Sequence, residues 1–113
     1  ALGLNCGLGP LEMEKHIPAL LEFASVPVIV NPNAGMPHDA GGKAVYSITP
    51  DVFAASVKRM MSAGVAVAGG CCGTTPKFIS QTVAACRDIK LTPPTPKNDS
   101  CHLIFAARCH RWR

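Results

Sequence analysis

Three cysteines in this sequence stand where a metal site could form. Cys6 follows one short apolar stretch, and the adjacent Cys71 and Cys72 follow another at residues 65–70. Thiolates bind zinc well, and a catalytic zinc keeps three protein ligands and one open position. Adjacent cysteines are a poor disulfide arrangement, and in a reducing compartment such clusters more often bind metal or do chemistry. These residue types therefore predict a zinc site.

Glycines on both sides of the cysteine pair make this interpretation feasible. In a regular strand, neighbouring side chains point to opposite faces. Gly70 and Gly73 free the backbone, so both sulfurs can turn toward one ion. The alternative is that the cysteines are small buried hydrophobic residues. We prefer that alternative for Cys86, which stands alone in a helical pattern, but not for the three cysteines at strand ends.

Three strand–loop–helix units are predicted to position these residues. The strands are expected at residues 1–5, 26–30 and 65–70, and the helices begin near Pro10, Pro50 and Pro76. Proline suits a first helical turn, and Thr49 and Thr75 suit the preceding N-cap. Alternating strands and helices indicate an α/β fold with a parallel sheet and right-handed crossovers.

Helical spacing predicts which residues each helix buries. The predicted inner faces comprise Met13, Ile17, Leu20, Leu21 and Ala24 in the first helix, Val52, Phe53, Val57, Met60 and Met61 in the second, and Ile79, Thr82, Val83 and Cys86 in the third. Pro18 should kink or split the first helix. Gly64 should end the second. Residues 31–47, rich in Gly, Pro and Asn, are predicted to be a long loop.

Function in parallel α/β folds collects at the carboxyl ends of the strands. The three predicted strands end at Asn5-Cys6, at residues 31–33 and at Cys71-Cys72. Three cysteines and an asparagine therefore converge on one rim of one sheet.

Three stretches resemble the signature stretches of the homocysteine S-methyltransferase family. They are residues 3–10 (GLNCGLGP), 31–37 (NPNAGMP) and 69–76 (GGCCGTTP), and their order and spacing also match. Residues 42–46 (GKAVY) and the NPNAG loop are most similar to the homocysteine-binding domain of the cobalamin-dependent branch, the methionine synthases. The resemblance covers about residues 1–91, and the double cysteine with its partner cysteine is its most specific part.

The resemblance implies a (β/α)₈ TIM barrel, of which this chain would supply the C-terminal three βα units. Residues 1–92 would belong to the homocysteine-binding barrel, and residues 93–113 would be a disordered linker or tail. The sequence begins in mid-strand, so we expect the other strands upstream. We expect Val28, Val30, Val65 and Val67 to face the interior of that barrel.

The resemblance also implies the chemistry. Its zinc ligands fall on Cys6, Cys71 and Cys72, and the activity is zinc-dependent methyl transfer to the thiol of homocysteine, which makes methionine. Zinc would drive the proton off that thiol and leave a nucleophilic sulfur. The methyl donor would be methylcobalamin on a separate domain, and the partners would be the upstream half of the barrel and the folate- and cobalamin-binding domains.

Asn33 has two interpretations. The resemblance suggests that its side-chain oxygen binds zinc before homocysteine arrives, so Asn33 belongs to the metal or substrate site. Asparagine is also a common turn residue that bonds its own loop. Both interpretations stay open at this point.

Other functions fit the sequence less well. Betaine or S-methylmethionine could be the methyl donor, but the long loop at residues 34–47 argues against them. The chain could be a zinc-binding fragment without catalysis, and we expect the isolated fragment to be inactive. A phosphate-binding loop at residues 3–9 lacks the dinucleotide spacing.

Charge and hydropathy exclude further classes. Residues 1–92 contain seven Lys or Arg and six Asp or Glu, so a nucleic-acid role has little support. No apolar run approaches the roughly 18–20 residues of a membrane span, and no secretory signal is evident. We therefore expect a cytoplasmic protein. The Cys101-His102 and Cys109-His110 pairs match no standard zinc spacing.

Overall fold

The computed structural model describes residues 1–96. In chain order the elements are β1 (Leu2–Asn5), α1 (Pro10–Glu14), α2 (Ile17–Phe23), β2 (Val28–Asn31), β3 (Pro37–Asp39), β4 (Ala44–Tyr46), α3 (Pro50–Ala63), β5 (Val67–Ala68) and α4 (Pro76–Cys86). The predicted α/β class is confirmed. Across these 96 residues, no helix combines the length and the apolar character needed to cross a membrane.

Strands β1, β2 and β5 form a parallel sheet with β2 in the centre. Strand β1 pairs with β2 from Leu2↔Val28 to Asn5↔Asn31. Helices α1 and α2 connect the first pair of strands, and α3 lies between β2 and β5. Because the three strands run in one direction, their carboxyl ends meet at one edge, as the sequence predicts.

One face of this sheet packs on the helices. Val28, Val30 and Val65 are at most 2% exposed and share a core with residues of all four helices. The expectation that these three valines face the interior of a barrel is wrong, because their side chains pack in the core with the helices. Val67 is 50% exposed and pairs with Ile29, so these two residues mark the open face.

The first helical segment is split, as Pro18 predicts. Helix α1 ends at Glu14, and α2 begins at Ile17 with Pro18 in its first turn. Proline has no N–H to donate and is tolerated only there. Met13 and Ile17 are fully buried on either side of the break, so both short helices keep the predicted face against the core.

Helix α3 carries the centre of the core. Phe53, Val57 and Met60 are at most 1% exposed, as their spacing predicts. The prediction that Val52 is buried is wrong, since its side chain is 38% exposed. Gly64 caps the helix with a φ of 128°, a conformation that favours glycine.

Helix α4 is rotated from its predicted orientation. Ile79 and Val83, predicted to be buried, are 39% and 61% exposed. Thr82 is buried as predicted, and Phe78, which was not predicted to be buried, also faces the core. The Phe78 ring meets Phe53 edge-on, with centroids 5.4 Å apart. An aromatic pair buries more area than either β-branched residue could, and that contact sets the rotation of the helix.

The segment after β2, which was predicted to be a long loop, contains a hairpin. Strands β3 and β4 pair antiparallel, with Pro37 opposite Tyr46. Gly41 and Gly42 take φ values of 68° and 81° at its tip, as a two-residue hairpin turn requires. The Asp39 carboxylate accepts a hydrogen bond from the Gly42 N–H at 2.7 Å. Two consecutive glycines were the available sequence signal.

Candidate metal centre

The structure brings the three predicted cysteines together at the carboxyl edge of the sheet. Cys6 directly follows β1, and Cys71 and Cys72 lie in the turn between β5 and α4. Their sulfur atoms all lie within 4.8 Å of one another. The Sγ of Cys72 is 3.7 Å from that of Cys6 and 3.8 Å from that of Cys71.

Cys6 leaves the strand through an unusual backbone conformation. Its φ is 62°, in the left-handed region that non-glycine residues rarely adopt. The N–H of Cys6 still donates to the Asn31 carbonyl of β2 at 3.0 Å, and its own carbonyl accepts from Leu8 N–H at 2.8 Å. Sheet pairing therefore ends at Cys6, and the backbone turns sharply there.

The turn that carries the cysteine pair is tied to the loop after β2. Cys71 N–H donates to the Pro32 carbonyl, and Ala34 N–H donates to the Cys72 carbonyl, both at 2.9 Å. The Thr74 hydroxyl donates to the Cys71 carbonyl at 2.6 Å. Gly73 has a φ of 78°, so one of the two predicted flanking glycines takes a left-handed conformation. These bonds orient both sulfurs to the same side.

Asn33 links the two cysteine loops. It is 5% exposed, and its side-chain oxygen accepts a hydrogen bond from Cys72 N–H at 3.2 Å. Its backbone N–H donates to the carbonyl of Leu8, in the loop after Cys6. Asn33 therefore bonds to neighbouring loops, which differs from a turn asparagine that serves its own loop.

The sulfurs influence one another's ionisation. A backbone hydrogen bond at Gly7, followed by hydrogen bonds from Cys71 and Cys72, lowers the pKa of the Cys6 thiol. The hydrogen bond with Cys6, followed by that with Cys71 and by the charges of both, raises the pKa of Cys72. The negative charge of one thiolate in this cluster therefore opposes the formation of a second. A bound dication would remove that opposition.

Tyr46 is a site residue that the sequence analysis did not single out. Its ring lies on Gly73, where a Cβ would overlap the ring carbons. Burial, and next the charge and hydrogen bond of Cys72, raise the pKa of the phenol, and Cys6 and Cys71 add to the effect. The Tyr46 ring therefore lies on the turn that carries Cys71 and Cys72. The hairpin, which was not predicted, brings Tyr46 to this turn. The only sequence signal for Tyr46 was its position in the GKAVY stretch.

The other cysteines are separate from this cluster. Cys86 ends α4 and packs against the hydrophobic core, where burial raises the pKa of its thiol. This position fits the role expected for it as a small apolar residue. The Cys101-His102 and Cys109-His110 pairs lie outside the described residues.

The chain is similar to one protein family and to two named enzymes. The model of the family described as homocysteine S-methyltransferase matches residues 1–86. The methionine synthase of Mycobacterium tuberculosis is 42% identical over 90 residues, which are 79% of this chain and 8% of that protein. The methionine synthase of Mycobacterium leprae is 42% identical over 85 residues, or 74% and 7% of the two chains. The chain thus spans less than a tenth of these relatives.

Proposed function

This chain belongs to the homocysteine S-methyltransferase family, and we propose on that premise that it forms part of an enzyme that methylates the thiol of homocysteine to make methionine. The observation that carries the proposal is the cluster formed by the sulfurs of Cys6, Cys71 and Cys72. The similarity to two methionine synthases supports the same reaction.

The sulfur cluster fits a zinc ion. Zinc–sulfur bonds of about 2.3 Å in a tetrahedral site place neighbouring sulfurs about 3.8 Å apart. The two measured distances, 3.7 Å and 3.8 Å, agree with that edge length. Three thiolates leave the fourth position open, as catalytic sites require. Cys72 is exposed, so a substrate can approach from its side.

Each residue has a part in this proposal. Cys6, Cys71 and Cys72 would hold the metal. Zinc, when bound, would lower the pKa of the homocysteine thiol, so that the sulfur is a nucleophile at neutral pH. Asn33 fixes the loop of Cys72, because its side-chain oxygen accepts the hydrogen bond of the Cys72 N–H. As the family resemblance suggests, that oxygen would occupy the open metal position until homocysteine displaces it.

We further propose that residues 1–92 are the last three βα units of a (β/α)₈ barrel, followed by a linker at residues 93–113. The sheet has helices on one face and an open face that carries Ile29 and Val67, as a barrel segment would. The upstream strands would bind the amino and carboxylate groups of homocysteine. Methylcobalamin on another domain would be the methyl donor, with a folate domain beside it. Reduced thiols favour a cytoplasmic location.

Metal analysis tests the proposal. The purified chain, loaded with zinc under reducing conditions, should hold one zinc, and homocysteine should change the metal's X-ray absorption edge. Cys72→Ser should lose most of the zinc, because a hydroxyl is a much poorer zinc ligand than a thiolate. Cys86→Ser is the matched control and should keep it. Full zinc retention in Cys72→Ser would refute the assignment.

A further inference from the structure

A buried loop at residues 32–35 holds the turn that carries the cysteine pair (the cysteine turn). The buried loop follows the central strand β2, and all four of its residues are buried. Such a loop must pair its backbone polar groups within the protein, because a buried group has no access to bulk water. The Pro32 carbonyl accepts the Cys71 N–H at 2.9 Å. The Ala34 N–H donates to the Cys72 carbonyl at the same distance.

The loop that carries Cys6 (the Cys6 loop) also rests on the buried loop. The Leu8 carbonyl accepts the Asn33 N–H at 3.0 Å. Beside this hydrogen bond, the buried Gly9 lies against Gly35. A Cβ built on Gly9 would come within 3.0 Å of the Gly35 Cα, so the two backbones leave no room for a side chain between them. The missing side chain at Gly9 therefore sets how closely the Cys6 loop approaches the buried loop.

The backbone conformation of Gly9 does not require glycine. Its φ of −73° and ψ of 171° are extended values that any residue adopts. An added Cβ would also meet the Glu12 carboxylate, whose Oε2 would lie 2.7 Å away. That oxygen ends a flexible side chain and can move aside, whereas the Gly35 backbone is held in the buried loop. Close approach to Gly35 is thus the constraint on position 9.

We propose that Gly9 is a positioning residue of the metal centre: its contact with Gly35 holds the Cys6 loop at the distance from the cysteine turn that suits a zinc ion. This inference rests on the proposed zinc site. A Cβ at position 9 would push the two loops apart by a few tenths of an ångström. The Cys6 sulfur, now 3.7 Å from that of Cys72, would move away from its partners. A binding site must hold its groups within about 0.5 Å of the productive geometry, so this movement weakens metal binding.

Metal affinities of the full 113-residue chain, measured by competition with a chelator, test the spacing. Gly9→Ala should lower the Zn²⁺ affinity about tenfold, the low end of what is lost when groups that support metal ligands are altered. It should lower the affinity for the larger Cd²⁺ less, because a larger ion tolerates a wider spacing of the sulfurs. Gly41→Ala is the matched control. Its φ of 68° strains any side chain, but its Cβ would meet no atom within 4 Å, so both affinities should stay unchanged.

A double variant separates the two contacts of position 9. When Gly9→Ala is combined with Glu12→Ala, the loss of zinc affinity should persist, and Glu12→Ala alone should bind zinc as the unaltered chain does. Recovery of zinc affinity in the double variant would assign the effect to Glu12 and overturn the role of the contact with Gly35. Unchanged zinc affinity in Gly9→Ala, or an equal loss for both ions, would overturn this inference and leave the metal site standing. If the unaltered chain binds neither ion, the metal site itself is wrong, and this inference fails with it.

Discussion

Cys6, Cys71 and Cys72 form one group because they share one place in the topology. Each lies at the carboxyl end of a parallel strand, and those ends meet at one edge. Their relative distances follow from finer features, such as the left-handed backbone of Cys6. The sequence has no signal for that conformation, since cysteine has no special preference for it. Tyr46 was missed because its position depends on a hairpin and on the absence of a side chain at Gly73.

The backbone of Cys6 leads to a prediction about stability. A non-glycine residue in the left-handed region costs about 1 kcal/mol or more, and glycine does not bear this cost. Among variants that have lost the thiol, Cys6→Gly should therefore be more stable than Cys6→Ala by about 1 kcal/mol. Denaturant unfolding of the two metal-free proteins measures the difference. Equal stability would show that the φ of 62° is not strained in solution.

Asn33 leads to a second prediction, which separates its structural role from metal binding. Asn33→Ala removes the acceptor of the Cys72 N–H, and an unpaired amide in a part-buried place costs about 1–3 kcal/mol. The free energy of unfolding should fall by that amount even without metal. Asn31→Ala is the control, because Asn31 is less buried than Asn33 and the loss should be smaller. If Asn33→Ala has no effect on the metal-free protein, its hydrogen bond does not stabilise the loop.

The existence and order of the main helices and parallel strands followed from periodicity, proline and glycine. The rotation of α4 did not, because Thr82 shares a helical face with Ile79 and Val83 on one side and with Phe78 on the other. The deciding contact is between Phe78 and Phe53, which are 25 residues apart in the sequence. Tertiary packing of this kind overrides a local pattern.

Helices α1 and α3 are joined by a polar contact that gives a pH-dependent prediction. The Glu14 carboxylate accepts from Arg59 Nε at 2.6 Å and from the buried Ser56 hydroxyl at 2.7 Å. The hydrogen bond from Arg59 lowers the pKa of Glu14 despite partial burial. A lowered pKa stabilises the fold above the unfolded-state value of about 4.3, and this stabilisation is lost as the pH falls through the folded-state value.

Glu14→Gln should therefore destabilise the protein at neutral pH by about 0.5–1 kcal/mol, since Arg59 is largely exposed and such pairs are screened. The difference from the unaltered chain should shrink below about pH 4. Unfolding curves at several pH values measure it. A double-mutant cycle with Arg59→Gln assigns the effect to the pair. A difference that persists unchanged in acid would contradict the ionic origin.

Among residues 1–96, the parallel sheet is covered by helices on one face. Four helices and the buried valines fill one face, whereas Ile29 and Val67 lie on the other. Parallel sheets in α/β proteins are normally buried on both faces. The sequence indicated that the central strand is meant to be buried on both faces, since it is apolar at successive positions. Which valines face which side could not be read from it, because Val28, Ile29 and Val30 are alike in hydrophobicity.

The open face and the sheet edges predict how the isolated 113-residue chain behaves. Within the described part of the chain, strands β1 and β5 each have one edge without a paired strand. Exposed edges and apolar patches favour pairing with other chains. We therefore expect self-association in analytical ultracentrifugation and no methyl transfer to homocysteine in an activity assay. Val67→Lys places a charge on the open face and should shift the chain toward monomer.

The control for Val67→Lys is Val83→Lys, which makes the same change on an equally exposed helix surface. It should shift the association less, because it leaves the sheet face intact. In a larger protein in which this chain forms part of a closed barrel, Val67→Lys should instead destabilise the fold. There the lysine would be buried among apolar residues, and an unpaired buried charge destabilises the fold by several kcal/mol. A monomeric chain that methylates homocysteine would contradict both the association and the proposed architecture.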